Sequence, residues 1–180
     1  MSNQLKQDHF KVAAQQKEEG DQYLSGLGAQ FNTKNKFLKN QNVREHVEAI
    51  DDWEVPNAAT QYIEQQVKSI VNKVESPDLS MMYSMNPYAG CEHGCSYCYA
   101  RNVHEYWGYS AGLDFERKII VKMNAPEMLR KFLMNKKYDP TPIMLSGNTD
   151  CYQLAEQKYR LNRSLLEVFN QFNQQVGILT

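Results

Sequence analysis

Three cysteines, Cys91, Cys95 and Cys98, lie within eight residues in the run NPYAGCEHGCSYCYAR, at C-x3-C-x2-C spacing. Disulfide frameworks join distant loops of secreted chains through an even set of widely spaced cysteines, so this spacing argues against disulfides. Clustered thiolates are instead good ligands for soft metals. The run therefore predicts a metal site on one short loop.

The number of ligands bears on the kind of metal centre. A closed structural zinc site takes four protein ligands, whereas the remaining cysteine, Cys151, lies more than fifty residues away. A [4Fe-4S] cubane that is held by three cysteines leaves one iron open. An open iron can bind the amine and carboxylate of S-adenosylmethionine (SAM), which is held in this way for reductive cleavage to a carbon radical.

Other interpretations use the same residues. A Cys3His zinc site would add His93 or His104, although closed zinc sites usually space their ligands as two separated pairs. Three unrelated buried cysteines are a further alternative. We expect His93 to be a loop residue that forms a hydrogen bond near the metal rather than a ligand. Gly90 and Gly94 predict tight backbone turns, where a side chain would collide.

The spacing, with the aromatic Tyr97 immediately before the third cysteine, resembles the cluster motif of the radical SAM superfamily. The wider run MNPYAGCEHGCSYCYARNVHEYWGY is similar to the spore photoproduct lyase-like branch, chiefly its uncharacterised bacterial members. The resemblance runs from about Ser76 to the C-terminus and more weakly from Gly26. It implies a [4Fe-4S] cluster on Cys91, Cys95 and Cys98, with Tyr97 beside the adenine of SAM.

A second polar run, LSGNTDCYQLAE, follows a predicted strand at Ile143 to Leu145. In radical SAM proteins the loop after the second core strand approaches the amino group of SAM. The resemblance thus implies SAM contacts from a polar loop, defined here as Ser146, Gly147, Asn148 and Thr149. Asp150 is either a further contact or the N-terminal cap of the next helix. Proteins similar to this chain often have a proline where Leu154 stands.

Cys151 has two interpretations. A lone cysteine is most often a small buried hydrophobe. Lyases of the branch that the chain resembles can use a cysteine thiol as hydrogen-atom donor to a substrate radical, and Cys151 is the candidate for that catalytic role. We do not count it as a cluster ligand.

The elements before the cysteines must place them at one edge of a sheet. Apolar residues from Ala58 to Val74 recur at three- and four-residue spacing and predict an amphipathic helix, with a strand from Val67 to Val74 as the alternative. Leu79 to Met85 predicts a strand that ends just before the cysteines. This matches α/β barrels, whose active sites lie in the loops after the strands.

After the cysteines, the predicted helices and strands alternate along the chain. YARNVHEYW (99–107) predicts a helix whose aromatic residues pack in the core, with substrate stacking as the alternative. DFERKIIVKM (114–123) predicts a strand, and Asn124 to Glu127 begins a helix. A helix from Ala155 to Asn173 and a strand from Val176 to Leu179 follow. The predicted class is α/β, and the resemblance implies the N-terminal part of a (β/α) radical SAM partial TIM barrel.

The amino-acid composition and net charge indicate what kind of protein this is. The chain has 180 residues, 42% hydrophobic content and a net charge of −1, as expected of a globular domain with one core. We find no secretory signal and no run of about 18 apolar residues that would span a membrane. Free thiols favour a reducing, cytoplasmic location. A near-neutral charge gives no general attraction to nucleic acid, so a nucleic-acid substrate would need a local basic patch.

Residues 1–57 form a polar leader that we expect to be flexible or peripheral, and residues 58–180 form the core. Within the leader, SGLGAQFNTKNKF is interpreted as an exposed loop, or alternatively as a lid or a nucleic-acid contact made by Lys34, Lys36, Lys39 and Arg44. A (β/α) barrel needs about 200 residues, whereas about one hundred follow Leu79. We therefore expect the chain to be the truncated N-terminal part of a longer protein.

The leading functional prediction is a radical SAM enzyme, of lyase type, with an unknown substrate. It would take one electron from a ferredoxin or flavodoxin and cleave SAM to a 5′-deoxyadenosyl radical. Two alternatives are a zinc-stabilised nucleic-acid-binding module without catalysis and an inactive fragment that keeps the cysteine motif.

Overall fold

The computed structural model describes residues 24–38, 59–75 and 83–180. Over these residues the chain is a mixed α/β protein, which confirms the predicted class. The strands are β1 Gln61–Gln65, β2 Val71–Lys73, β3 Tyr83–Met85, β4 Tyr88–Ala89, β5 Lys118–Lys122, β6 Ile143–Leu145 and β7 Val176–Ile178. The helices are a 3₁₀ helix Tyr99–Trp107 and four α-helices, α1 Leu113–Arg117, α2 Ala125–Leu133, α3 Leu154–Tyr159 and α4 Leu161–Gln171.

The described strands form two small sheets, with orders β2-β3-β6-β7 and β1-β5-β4. In the first, β3, β6 and β7 are parallel and β2 is antiparallel to β3. Parallel neighbours need a crossover connection, and α2 lies between β3 and β6 while α3 and α4 lie between β6 and β7. The segments that follow β3 and β6 therefore emerge at the same edge of the sheet.

The larger core lies between the parallel strands and the helices that cross over them. Met85, Ile143 and Leu145 on the strands are fully buried against Leu129 of α2 and Phe169 of α4. Each such side chain contributes about 1.5–3 kcal/mol by leaving water. This packing makes the edge where the two polar segments emerge a rigid platform.

The helix predicted from Ala58 to Val74 is wrong, because this region forms β1 and β2 instead. β1 pairs with β5 in parallel, with Gln61 opposite Lys118. Between β1 and β2 the Asn124 side chain donates to the Val67 carbonyl at 2.8 Å and accepts from its N–H at 2.9 Å. These long-range hydrogen bonds stabilise the extended conformation more than the local sequence pattern favours a helix, because intrinsic propensity is only a weak preference.

Two further boundaries differ from the prediction. The strand expected from Asp114 to Met123 is shorter, because Leu113–Arg117 forms α1 and only Lys118–Lys122 is extended. The single helix expected from Ala155 to Asn173 is broken at Arg160, whose φ of +51° ends α3 and starts α4. Residues in the left-handed region interrupt a right-handed helix.

Other predicted elements are confirmed within the described residues. The helix that begins near Pro126 is α2, the strand at Ile143 to Leu145 is β6, and the last strand is β7. The predicted strand from Leu79 is observed from Tyr83 onward, and residues 79–82 lie outside the described part. None of the described helices is both long and apolar enough to cross a membrane.

The 3₁₀ helix does not bury the aromatic residues that were expected to pack in the core. Tyr99 is 71% exposed and Tyr106 75% exposed, whereas His104 and Glu105 are buried. The core-packing prediction is therefore wrong for these two tyrosines. A helix with 3.0 residues per turn presents a different set of positions to its neighbours than the 3.6-residue period assumed from the sequence.

Candidate functional site

The two segments that carry chemistry lie beyond β3 and β6: the polar loop directly follows β6, and the chain after β3 passes through β4 before it reaches the cysteines. We call residues 91–98 the cysteine loop and keep polar loop for residues 146–149. The Ser146 N–H donates to the Met85 carbonyl at 2.9 Å, and the Asn148 N–H donates to the Asn86 side chain at 2.8 Å. Since open α/β sheets bind ligands at the carboxyl ends of their strands, this edge is the candidate site.

Two glycines shape the cysteine loop as the sequence predicted. Gly90 has a φ of +88° and Gly94 a φ of +64°, which side chains rarely adopt. A Cβ on Gly90 would stand 2.9 Å from the Phe115 carbonyl oxygen. That carbonyl accepts the Cys91 N–H at 2.9 Å. The loop is therefore folded tightly against the segment before β5.

The three thiols differ in exposure. Cys91 is buried and packs with Ala100 and Phe115, Cys98 is half-buried against the same cluster, and Cys95 is exposed. Burial raises the pKa of the Cys91 thiol, while the N–H groups of His93 and Asp150 act to lower that pKa. An N–H from the segment that follows the polar loop therefore reaches the first cysteine.

The donor set suits an iron–sulfur cluster by type, although the thiols are not drawn together. Within the part of the chain that the structure describes, no three His, Cys, Asp or Glu side chains stand close enough to hold one metal ion. N–H groups that point at sulfur, as at Cys91, are also found around iron–sulfur centres. For three thiols to hold one metal centre, the exposed Cys95 would have to turn inward.

The two histidines of the zinc alternative lie in different surroundings. His93 is about half exposed, with its Nε2 at 3.7 Å from Asp150 Oδ1. His104 is buried between the rings of Tyr109 and Phe115, at centroid distances of 5.3 and 5.6 Å. Neither is grouped with the thiols among the described residues. His93 near Asp150 agrees with its interpretation as a loop residue.

The polar loop contains a strained residue and an unpartnered hydroxyl. Ser146, directly after β6, has a φ of +68°, which costs a residue with a Cβ about 1–2 kcal/mol. Thr149 is buried, and its Oγ1 has no hydrogen-bond partner in the described chain. Strain and unsatisfied polar atoms concentrate at functional sites. The side of the loop that carries Thr149 is thus prepared for a polar ligand.

Asp150 does not cap the next helix. Helix α3 begins at Leu154, and Asp150 Oδ1 instead accepts the Tyr152 N–H at 2.7 Å in a local turn. The capping prediction is therefore wrong. Leu154 is the first residue of α3, a position where proline is tolerated, so the departure from similar proteins leaves the helix start intact.

Two tyrosines of the cysteine segment point outward at the same edge. Tyr97 is 88% exposed, and no contact is formed that would hold its ring against the described core. The Tyr99 hydroxyl donates to the Gly147 carbonyl. Tyr99 therefore joins the 3₁₀ helix to the polar loop, which explains why its exposed ring is ordered at this edge.

Glu92, which the sequence did not single out, ties the cysteine loop to α3. Its Oε2 accepts the Ala155 N–H at 2.8 Å in the first turn of that helix, and its Oε1 accepts the Tyr62 hydroxyl at 2.9 Å. A carboxylate suits the positive end of a helix dipole. Burial, followed by hydrogen bonding to Glu92, raises the pKa of Tyr62 to about 12. Glu92 could not be predicted as the cap of α3, because it lies 63 positions before Ala155 in the chain.

A buried ion pair supports the cysteine loop from beneath. Arg101 Nη2 contacts Glu116 Oε1, and these side chains are 12% and 0% exposed. The Arg101 guanidinium also donates twice to the Cys95 carbonyl, at 2.9 and 3.1 Å. Arg101 thus fixes the backbone of the middle cysteine. Neither Arg101 nor Glu116 was singled out from the sequence.

Part of the polar leader packs directly on the cysteine loop. The N–H groups of Gly28 and Ala29 donate to Glu116 at 3.0 and 2.9 Å. A Cβ on Gly28 would stand 1.8 Å from the Gly94 carbonyl oxygen, so only glycine allows this approach. We call residues 24–38 the docked segment. The structure does not describe residues 1–23 or 39–57.

The docked segment contains two of the four basic residues that were considered as nucleic-acid contacts, Lys34 and Lys36. The Asn35 amide donates to the carbonyls of Glu105 and Tyr109, at 3.0 and 2.8 Å, and Lys36 Nζ stands 3.4 Å from Glu105 Oε2. Lys36 therefore pairs with Glu105, although its side chain is still 66% exposed, and Lys34 is exposed as well. Lys39 and Arg44 lie outside the described residues.

Cys151 packs inside the protein. It is 2% exposed, its Sγ lies 3.8 Å from the Leu179 carbonyl, and burial raises the pKa of its thiol. The Asn162 side chain donates to the Cys151 carbonyl at 2.7 Å. These contacts are those of a packed small residue, and they leave the hydrogen-donor role an untested prediction.

Comparison with known proteins yields uncharacterised relatives. An uncharacterised protein of Mycobacterium tuberculosis is 37% identical over 114 residues, which cover 63% of this chain and 34% of that protein. An uncharacterised protein of Methanocaldococcus jannaschii is 27% identical over 111 residues, covering 62% and 39% respectively. The chain thus spans about a third of the length of the curated relatives it matches. No protein-family model and no solved structure matches it.

Proposed function

We propose that this chain binds a [4Fe-4S] cluster through Cys91, Cys95 and Cys98 and uses it for radical SAM chemistry on an unidentified substrate. The observation that carries the proposal is made beyond the adjacent parallel strands β3 and β6. Asn86, after β3, accepts the Asn148 N–H of the polar loop, and the Asp150 N–H, just after the polar loop, reaches Cys91 of the cysteine loop. The finer architecture that we propose is the N-terminal part of a partial (β/α) barrel, because β3, β6 and β7 are parallel and follow one another in the sheet.

The chemistry of the donors supports a cluster with an open iron. Three thiols fit the outer ligands of three irons, and the fourth iron of a cubane is then left for SAM. When bound, the cluster supplies the electron that cleaves SAM to a 5′-deoxyadenosyl radical. The reductant is proposed to be a ferredoxin or flavodoxin, and the exposed Cys95 and Tyr97 mark the side from which it can approach.

The residues of this chain would bind and orient the cofactor. Asn148 and Thr149 belong to the polar loop, which begins at the positive-φ turn of Ser146, and we propose that their side chains contact SAM. Tyr97 is free to stack on an adenine because its ring is exposed. Gly90 and Gly94 keep side chains away from the thiols. Holding the reacting groups in place is the contribution that a protein makes to such chemistry.

The proposal is tested by anaerobic reconstitution with iron and sulfide, followed by reduction with dithionite in the presence of SAM. We expect broad absorption near 400 nm, a characteristic of iron–sulfur clusters, and formation of 5′-deoxyadenosine. Cys91→Ala, Cys95→Ala and Cys98→Ala should each lose iron. Cys151→Ala is the matched control, since we expect the buried Cys151 to be no ligand, and it should keep the wild-type iron content.

The alternatives give different results in the same experiment. One zinc per chain in a colourless protein would establish the zinc-stabilised module. A cluster that forms without SAM turnover would favour an inactive fragment. Iron content that is unchanged in all three cysteine variants would refute the proposal.

A further inference from the structure

An internal cavity of about 140 Å³ lies beside the cysteine loop but is not lined by any of its thiols. Its walls come from the β4 segment, the 3₁₀ helix, β5 and the polar loop. The lining side chains that matter here are Asn86, His104, Lys122, Asn148 and Thr149. The volume holds several water-sized groups, so a carboxylate or a phosphate fits inside it.

Lys122 places a cation in this cavity without an ionic partner. Its Nζ donates to the Asn86 carbonyl at 2.7 Å and lies 5.7 Å from the centre of the Trp107 ring. No carboxylate in the described chain forms an ion pair with it. Burial accordingly lowers the pKa of Lys122 to about 8. A buried ammonium that lacks an anion is costly, and a bound anion would remove that cost.

Two further lining residues offer unused hydrogen-bond donors. Thr149 is 5% exposed, and its Oγ1 has no hydrogen-bond partner in the described residues. His104 is 1% exposed, and neither ring nitrogen forms a hydrogen bond of normal geometry there, although the Asp114 backbone is near enough to act on its pKa. Burial lowers the pKa of His104 to about 4, so the ring is neutral near pH 7 and keeps one N–H. Buried polar atoms normally have partners, and a ligand in the cavity would supply them.

We propose that this cavity binds a small oxyanion, the carboxylate or phosphate group of a small molecule, with Lys122 as the charged anchor and Thr149 and His104 as further donors. None of its contacts uses a cysteine, so the site does not depend on the cluster, although it shares Thr149 with the contacts that we propose for SAM. The oxyanion would form charge-assisted hydrogen bonds to the ammonium, which are the strong ones. The cavity and the cysteine loop are nevertheless adjacent through Gly90, which lines the cavity.

The test is ligand-observed NMR on the full chain without metal, at constant ionic strength. Inorganic phosphate is followed by ³¹P line width and ¹³C-labelled acetate by its carboxyl signal. We expect saturable broadening of one of them, and the two probes distinguish phosphate from carboxylate. Lys122→Met should weaken binding by about tenfold or more, because it removes a hydrogen bond to a charged group. Lys73→Met, on the exposed face of β2, should bind as wild type.

Further variants keep the proposal falsifiable. Thr149→Val keeps the shape of the side chain and removes only the hydroxyl, so it should weaken binding even if Lys122→Met fails to fold, with circular dichroism as the check on folding. The Cys91→Ala/Cys95→Ala/Cys98→Ala variant should bind the oxyanion normally although it cannot hold a cluster. The proposal is overturned if neither probe broadens saturably, if Lys122→Met and Lys73→Met bind equally, or if the triple cysteine variant loses binding.

Discussion

At the scale of single residues, buried and half-buried ionisable side chains lie within and around the cysteine loop. Glu116 accepts two N–H groups from the docked segment and pairs with Arg101, while Glu92 caps α3. His104 is buried between the rings of Tyr109 and Phe115, where burial favours its neutral form. Each of these groups contributes to stability through its partners or through its protonation state. Their removal therefore has measurable consequences.

His104 makes the fold sensitive to acid. Burial lowers its pKa from 6.5 to about 4, against an opposing effect of Asp114. The unfolded chain binds a proton more readily than the folded one, so this contribution is complete above pH 6.5 and is lost as the pH falls toward 4. We expect the free energy of unfolding to fall by about 2 kcal/mol between pH 7 and pH 5 from this residue.

Urea unfolding at both pH values measures this loss. The His104→Phe variant should lose about 2 kcal/mol less than wild type over that interval, whereas the half-exposed His93→Phe should behave as wild type. Equal pH dependence of His104→Phe and wild type would show that His104 is not the sensitive group.

Arg101→Met should destabilise the protein by about 3–5 kcal/mol, because it leaves the Glu116 carboxylate buried and unpaired. Chemical denaturation measures the loss. Adding Glu116→Gln should recover part of it, since the double variant has no uncompensated charge. Arg163→Met is the matched control: its pair with Glu167 is exposed on α4 and is worth less than about 1 kcal/mol. Similar losses in the two single variants would contradict the assigned role of Arg101.

At the scale of elements, the cysteine loop is held between three neighbours. The docked segment lies on one side of it, the 3₁₀ helix follows it, and α3 receives Glu92 from it. The loop has no regular structure of its own, so its shape depends on these neighbours. The strongest geometric constraint is the approach of Gly28 to Gly94.

Gly28→Ala should detach the docked segment from the cysteine loop, because the added Cβ would collide with the Gly94 carbonyl at 1.8 Å. Hydrogen exchange should show lost protection of the Gly28 and Ala29 amides, which donate to Glu116. Gly147→Ala is the control, since a Cβ there meets nothing within 4 Å. Unchanged protection of both amides in Gly28→Ala would show that the segment docks by other contacts.

At the scale of the whole molecule, the sheet of β3, β6 and β7 with its helices is the scaffold, and the two loops form the candidate site. A ligand that binds only the folded chain stabilises it in proportion to the logarithm of its concentration over the dissociation constant. Reconstitution with iron and sulfide should therefore raise the melting temperature by about 5–10 °C, from about 2–3 kcal/mol of binding linkage. An iron chelator should reverse the rise, and the triple cysteine variant should show none. A rise of equal size in that variant would mean that iron binds elsewhere.

Much of the fold followed from local patterns. The strand at Ile143–Leu145, the helix start at Pro126 and the final strand were predicted because short apolar runs and a proline in the first turn are local signals. The region from Ala58 to Val74 was not, since its pairing with β5 joins residues far apart in the chain. The same is true of Glu116, whose contact with Gly28 spans 88 positions.

The same distinction between local sequence and long-range packing applies to the candidate site. The sequence predicted which atoms are available as metal ligands, because the three thiols occupy nearby positions on one loop. It also predicted the two backbone turns, because Gly90 and Gly94 allow a positive φ. The environment of those atoms was not readable. The burial of Cys91, the exposure of Cys95 and the unpaired ammonium of Lys122 depend on which distant segments pack around them. The charge state of a side chain depends on its burial and on its hydrogen-bond and ion-pair partners. These are provided by segments distant in the chain, so the spacing of nearby residues does not predict them.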